Sequence, residues 1–551
     1  MKKEIINKLF PEEILSISEI EKKYPPRKLK EGAMVTRFAP SPTGFMHLGG
    51  LYSGLISERF AHQTDGIFYL RIEDTDQKRE VEGATELIIN SLNYYGLVAD
   101  EGPTLSGKEI GYYGPYKQSE RGEIYKAYVK KLLEKDLAYP CFCSPEELEE
   151  IRLNQESKSI RTGYYKEYAV WRNKSELDIL HALEQNIPFV IRFKSHGNFD
   201  NKIIAQDILR GTRELSENDQ DIVILKSSGL PTYHFAHVVD DKLMGTTHVL
   251  RGEEWFSSLP LHLQLFQAME WQTPNYGHLL PIQKMEGSSK RKLSKRKDPE
   301  ANVVYYEEQG YPKDAVIEYL LNLANSDFED WRKANLGKNN KEFILSMQRL
   351  SHSSGPLFDL TKLNDISKEV IGQFSAEEIF EKSLKWAKIY DKNLAHKMEQ
   401  NSDYVKQIFN IERVNTTKVR KDIAKWSDIR REIEYFFDDT FNLSTQDIDS
   451  MLASIDKNDI KSIINSFMAS YDVQDSKEIW FDKIKQIAIK HNYAENTKAF
   501  KANPGQYKGY VADVAKILRV LVTGRIQSPD LHAIMQILGR DRVFKRLKVL
   551  G

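Results

Sequence analysis

Residues 36–50 read TRFAPSPTGFMHLGG. A short apolar strand runs into two prolines, a glycine, a lone histidine and two more glycines, and a helical pattern follows. In that pattern, LYSGLISERFAHQ, Leu51, Leu55, Ile56 and Phe60 recur at helical spacing. IFYLRIED then alternates Phe68, Leu70 and Ile72 against Tyr69, Arg71 and Glu73, the period of a strand. Strand, helix and strand within about 40 residues make a βαβ unit, which implies a parallel sheet.

In open α/β sheets, ligands sit at the carboxyl ends of strands, against helix N-termini. Unpaired N–H groups and a partial positive charge there favour phosphate. PTGFMHLGG occupies that place, and its glycines let a nucleotide approach the backbone. It is not a Walker A loop, because no Lys-Ser/Thr follows Gly49, and it is not GxGxxG. His47 has two readings here: a donor to a phosphate oxygen that carries no fixed charge, or a residue that caps a turn.

The chain has 551 residues, 40% hydrophobic and 29% charged, with a formal net charge of -1. That length exceeds one ordinary core and implies several domains. The near-zero charge leaves nucleic-acid binding to local basic patches. The two cysteines, Cys141 and Cys143, suit neither a disulfide framework nor an oxidising compartment. No apolar run approaches the roughly 18 residues of a membrane span. The first residues carry scattered acids and no small-residue cleavage site, unlike a signal peptide. A cytoplasmic protein is expected.

The pattern divides the chain further. Residues 1–33 are expected to hold one short helix and a tether ending at Pro25-Pro26, and residues 34–115 the first half of an α/β domain. Residues 116–222 change texture, with a helix, the cysteines, a Tyr-rich stretch and strand-like IPFVIRFK, as expected of an insertion. A second α/β half follows at 223–285, and beyond about residue 300 the periodicity is helical. SSKRKLSKRKD, residues 288–298, has six basic residues and one acid at its end. Such a run is either a solvated loop or a mobile loop whose lysines meet developing charge on a polyphosphate.

Together the two motifs carry a resemblance. PSPTG followed by HLGG resembles the HIGH signature of class I aminoacyl-tRNA synthetases, and KLSKR resembles their KMSKS signature. RFAPSPTG, FYLRIEDTD, GPYKQSER, LPTYHFAHVVDD, HVLRGEEW and KLSKRK resemble, in order, the bacterial-type glutamyl-tRNA synthetases. The likeness is dense from about residue 34 to 310 and thinner beyond, where GPLFDLTKL and VTGRIQSPDLHAIMQILGRDRVFKRL are also similar. The implied fold is a Rossmann-like parallel-sheet catalytic domain, split by an inserted α+β domain and followed by all-α C-terminal domains. The implied chemistry joins the glutamate α-carboxylate to the α-phosphate of ATP, with Mg²⁺ accompanying the ATP. The terminal ribose hydroxyl of the tRNA then takes the glutamyl group. Positioning and electrostatics carry such a reaction.

The resemblance implies a role for each matched residue. His47, Lys292 and Lys295 are the implied catalytic residues. ATP falls to His47, Gly49, Glu254, Trp255, Leu293 and Lys295. Glutamate falls to Arg37, Ala39, Ser41, Glu73, Tyr233, His237 and Arg251. Arginine suits the substrate's side-chain carboxylate because its planar fork pairs with both oxygens, and Glu73 suits the α-amino group. The implied domains are 116–222 for the tRNA acceptor end, 286–375 for the stem, with the KLSKR loop, and 376–551 for the anticodon. Residues 1–33 lie outside the family pattern. The tRNA for glutamate is the implied partner, that for glutamine a second candidate, and a monomer is expected.

Three features depart from the pattern. Gly50 stands at the second His of the general signature, as is usual for glutamate enzymes. His237 stands where Asn is expected. Cys141 and Cys143 look like the first half of a zinc site found in some members. Residues 165–173 offer no Cys or His for the second half, so no zinc and no other protein-held metal is expected. At the C-terminus, Arg540, Arg542, Lys545, Arg546 and Lys548 suit phosphate or a solvated helix face. A glutaminyl enzyme, a short tRNA-base-modifying paralogue and an inactive RNA-binding regulator are the alternatives. The helical C-terminal half disfavours the first. The presence of that half and of intact lysines disfavours the second. His47, Lys292, Lys295, Arg37 and Arg251 together disfavour the third.

Overall fold

The structure is a computed structural model that describes residues 1–350, 355–414, 416–503 and 505–550. It comprises two units, Met1–Tyr305 with Ile317–Asp359, and Tyr306–Val316 with Leu360–Gly551.

The first unit opens with two helices, Lys3–Leu9 (α1) and Ile17–Lys23 (α2), where one helix and a tether were expected. The sequence does hold the signal: Ser16 and Glu19 form a reciprocal capping box that starts α2. Ile5, Ile6, Leu9, Phe10, Ile20 and Tyr24 are buried in the main core of this unit. The segment after α2 is no loose tether. Arg27 forms a two-pronged pair with Glu101 (2.7 Å each) and donates to the Met244 carbonyl (2.7 Å).

Val35–Phe38 (β1), Leu48–His62 (α3) and Ile67–Leu70 (β2) form the βαβ unit, with the strands parallel and Val35 opposite Ile67. Tyr69 and Arg71 are as buried as Leu70 and Ile72. A strand of a covered parallel sheet has no solvent face, so the alternation in IFYLRIED marks no outside. Helix Ala84–Tyr94 (α4), the short pair Gly102–Pro103 (β3) and Glu109–Ile110 (β4), and helix Gly122–Glu134 (α5) follow.

The inserted region is built on an antiparallel sheet of Ala138–Cys141 (β5), Val190–Phe193 (β6) and Val223–Leu225 (β9), in the order β5-β6-β9. Between β5 and β6 lie helices Pro145–Ser157 (α6) and Glu176–Glu184 (α7). Between β6 and β9 stands the hairpin Lys202–Asp207 (β7) and Gly211–Ser216 (β8). The pairing of β9 with β6 carries this sheet past residue 222.

Helix Tyr233–Leu243 (α8), strand His248–Gly252 (β10), helix Leu259–Ala268 (α9) and strand Asn275–Leu279 (β11) form the second α/β half, with β10 and β11 parallel. Thr247 donates its N–H to the Val35 carbonyl (3.0 Å), and its hydroxyl takes the Val35 N–H (2.8 Å), which starts β10 beside β1. Gln283–Glu286 (β12) and Ser289–Lys292 (β13) form an antiparallel hairpin, so the basic stretch begins as a strand and only then loops.

The second unit is helical, and Ile379, Ile408, Ile429, Phe436, Leu518 and Ile534 lie in its core. Arg546 does not lie on a phosphate-facing tail. It is buried, donating to the carbonyls of Tyr435 (2.7 Å) and Val522 (2.6 Å) and packing over the Phe441 ring. A buried guanidinium has to be spent on such acceptors, whereas Arg540, Lys545 and Lys548 are exposed. Among the described residues no helix is long and apolar enough to cross a membrane.

At the end of α3, His62 lies 3.0 Å from Asp100 and 3.1 Å from Glu58. The hydrogen bond to Asp100, then that to Glu58, raises its pKa from 6.5 to about 9. Folding favours the charged ring, so its stabilisation is complete below the unfolded value and lost as pH rises through the folded one. His62→Gln is therefore expected to lower the urea midpoint at about pH 6 and to match the parent at about pH 10. Equal losses at both pH values would rule out the charged pair.

Candidate active site

β1 ends at Phe38, and the chain turns through Pro40 and Pro42 to reach His47, the N-cap of α3. His47 Nδ1 accepts the Gly49 N–H (2.9 Å), which assigns the remaining ring proton to Nε2. Burial, then the nearby Lys295, lowers its pKa, so the ring is neutral near pH 7. A Cβ at position 49 would stand 3.2 Å from that Nδ1, a close approach that glycine relieves. The two readings of His47 are compatible: one nitrogen caps the helix and the other keeps a proton to donate.

The basic stretch lies across this turn. Lys295 Nζ donates to the Phe45 carbonyl (2.6 Å), and Lys292 Nζ is 3.6 Å from Glu254. Asp298, the single acid of the run, is its anchor. It takes two hydrogen bonds from Arg291 (2.6 and 2.8 Å) and the Ser294 N–H (2.9 Å). Arg291 in turn holds the Asp298 carboxyl well below the usual carboxylate range. Arg291 and Asp298 thus shape the loop, and both lysines are exposed.

These elements enclose a cavity of about 340 Å³. Arg37, Ala39, His47, Gly49, Arg251, Glu254, Trp255, Lys292 and Lys295 line it. Five other residues matched by the resemblance do not line it. Tyr233 packs at a tilt against Trp255 (centroids 4.2 Å apart, 32°), and His237 lies parallel behind Tyr233 (5.8 Å, 18°). Glu73 is buried one arginine away, Leu293 is buried with its N–H on the Ile282 carbonyl, and Ser41 is exposed beside Pro40.

Behind the cavity runs a buried charge network that no sequence pattern singled out. Arg71 is fully buried and donates to Asp241 (2.7 Å) and Glu73 (2.9 Å). Arg37 Nε lies 3.5 Å from the other Asp241 oxygen without a hydrogen bond. The adjacent Asp240 accepts from Arg121 (2.7 Å), Gln118 (2.8 Å) and Tyr125 (2.7 Å). Burial would raise the Asp241 pKa, but Arg71 and Arg37 hold it below the usual range. For Glu73 burial wins, and its pKa is raised. The site thus presents cations from β1 and β10, and the Glu73 carboxylate from just beyond β2 is buried behind them on Arg71.

A catalytic-domain family described as tRNA synthetases class I (E and Q) matches residues 33–365, and an anticodon binding domain matches residues 378–550. A glutamate–tRNA ligase of Clostridium perfringens (strain SM101 / Type A) is 47% identical over 544 residues, 99% of this chain and 98% of its own. One from Acetivibrio thermocellus is 48% identical over 549 residues, 100% of this chain and 99% of its own. A crystal structure of a glutamate tRNA ligase from Elizabethkingia meningosepticum in complex with its amino acid superposes with a TM-score of 0.72 at 29% identity, covering 94% of this chain and 99% of that one. The chain belongs to the glutamate–tRNA ligase family.

Against the family pattern, His237 is wholly buried. Its Nε2 lies 3.0 Å from the Tyr276 hydroxyl, and its Nδ1 lies 3.1 Å from Asp241 without a hydrogen bond's alignment. Burial, reinforced by Arg251, Arg37 and Arg71, pushes its pKa well below the ordinary value, so it is neutral. At the insertion's cysteine pair, both sulfurs lie 3.4 Å from the Tyr164 hydroxyl. Among the described residues no group of three or more His, Cys, Asp or Glu is placed to hold a metal ion.

Removing Arg71 strands two buried carboxylates. Arg71→Ala is expected to cost about 3–5 kcal/mol in urea unfolding. A loss below about 1 kcal/mol would mean that Arg71 does not hold the network together.

Proposed function

We propose that the protein ligates L-glutamate to tRNA(Glu), through glutamyl-adenylate and at the expense of ATP. The cavity carries this reading: a nucleotide-side donor, two loop lysines and two arginines line one space. ATP lies with its phosphates at the N-terminus of α3, where helix dipole and free N–H groups favour negative charge. His47 donates from Nε2, and Lys292 and Lys295 offset the charge that moves onto pyrophosphate. Gly49, Glu254, Trp255 and Leu293 border the nucleotide. Arg37 and Arg251 hold the carboxylate of the glutamate side chain, Glu73 takes its α-amino group, and Ala39, Ser41, Tyr233 and His237 shape the rest.

This leaves the α-carboxylate facing the α-phosphate, and alignment supplies most of the rate. Mg²⁺ arrives on the triphosphate rather than in a protein-built cage, as suits an ion that keeps several waters and binds through substrate phosphates. Zinc has no part, since Tyr164 rather than a third Cys or His meets the cysteine pair. Residues 116–222 take the acceptor end, 286–375 the stem and 376–551 the anticodon, the last supported by the matched anticodon domain. The protein acts as a cytoplasmic monomer in this reading. Charging of tRNA(Gln) as well is the second reading, left open by the family match to E and Q enzymes.

Separately transcribed tRNA(Glu) and tRNA(Gln), with ATP, Mg²⁺ and labelled glutamate, test it. Charging of tRNA(Glu) is expected, and no charging of either tRNA would overturn the proposal. Lys295→Ala is expected to lower charging about 100-fold, as loss of one charge-stabilising donor does, with tRNA affinity unchanged by filter binding. Charging at the parent rate would remove Lys295 from the mechanism.

A further inference from the structure

Arg251 is held in an unusual way for a buried cation. No described carboxylate pairs with it, whereas Arg37 and Arg71 share Asp241. Its Nε lies 3.0 Å from His278 Nε2, and its Nη2 lies 3.2 Å from His262 Nδ1 and 3.3 Å from the Trp255 carbonyl. Its Nη1 is buried without a hydrogen-bond partner among the described residues.

A guanidinium has only donors, so both facing imidazole nitrogens must be lone pairs. The His278 proton then sits on Nδ1, 2.5 Å from Asp207 Oδ2. The His262 proton sits on Nε2, 3.0 Å from His234 Nδ1. One tautomer set satisfies the whole chain of contacts. Burial lowers the pKa values of both His278 and His262, which keeps them neutral.

Asp207 is fixed from outside the parallel sheet. It ends β7 of the inserted hairpin, and its Oδ1 takes the N–H groups of Leu209 (2.9 Å) and Arg210 (2.8 Å). That turn is seated on β11 by the Ile208 N–H on the Tyr276 carbonyl (2.9 Å). A Cβ at Gly277 would meet Leu250, Ile208 and Leu209 at 2.8–3.1 Å, so only glycine admits the turn so close.

A carboxylate in the place of His278 would orient Arg251 equally well but would cancel its charge. A neutral nitrogen acceptor orients without cancelling. We propose that Asp207 and His278 are positioning residues that aim the charge of Arg251 at the carboxylate of glutamate. This rests on Arg251 being a glutamate ligand.

The test is steady-state charging of tRNA(Glu) with glutamate and ATP varied separately. Asp207→Asn is nearly isosteric, but its amide donates toward Nδ1 and drives the proton to Nε2, against the Arg251 N–H. Asp207→Asn and His278→Ala are each expected to raise the glutamate KM about tenfold or more, with ATP KM and kcat within about twofold. His278→Gln, which keeps an acceptor, is expected to recover part of the loss. Arg251→Ala is run beside them. A large rise in glutamate KM for Arg251→Ala with none for Asp207→Asn or His278→Ala would overturn the positioning role alone. No rise for Arg251→Ala would overturn the ligand reading beneath it. Parallel loss of ATP and glutamate affinity would show general damage and also overturn the proposal. Should His278→Ala fail to fold, Asp207→Asn decides.

Discussion

The pairing of Arg71 with Asp241 joins two parts of the chain that the insertion separates. Arg71 follows β2 in the first α/β half, and Asp241 lies on α8 in the second. A fully buried guanidinium is tolerable only when carboxylates meet it with good geometry. Glu73 and Arg37 meet the same pair, and the adjacent Asp240 is met in turn by Arg121 and Tyr125. The relative position of the halves, and hence the opposition of Arg37 and Arg251 across the cavity, depends on satisfying it.

The βαβ unit was legible because its signals are local: helical spacing from Leu51 to Phe60, turn residues around Pro40 to Gly44, and strand runs on either side. The nucleotide-side motifs were legible as motifs. The network was not. Arg71 fell on one register of an alternating strand, and alternation names a solvent face only where a sheet has one. Buried ion pairs are formed by residues about 170 positions apart, and no periodicity reports such a distance. The second N-terminal helix was legible in principle, because Ser16 and Glu19 have capping-box spacing.

The histidines show the same limit. His237 stood out only as a departure from a family pattern, and His262 and His278 gave no signal. The structure gathers them around Arg251 and leaves them uncharged, where they act as directional acceptors and as flat packing surfaces. The stacked rings of Tyr276 and His278 (6.2 Å, 11°) belong to the same wall. Basic residues likewise divide by burial rather than by composition. Arg291 and Arg546 are spent on holding backbone and carboxylate in place, and Lys292 and Lys295 remain exposed beside the cavity.

The seating of Asp207 on His278 bears on how the catalytic half and its insertion can change through time. A hairpin that only capped the domain could be exchanged between relatives as a cassette. This one supplies the carboxylate that holds His278 behind Arg251, and it fits there because position 277 lacks a side chain. Residues 207, 277 and 278 therefore form one heritable unit across a domain boundary. A chimaera that joins an insertion from one lineage to a sheet from another has to carry all three together.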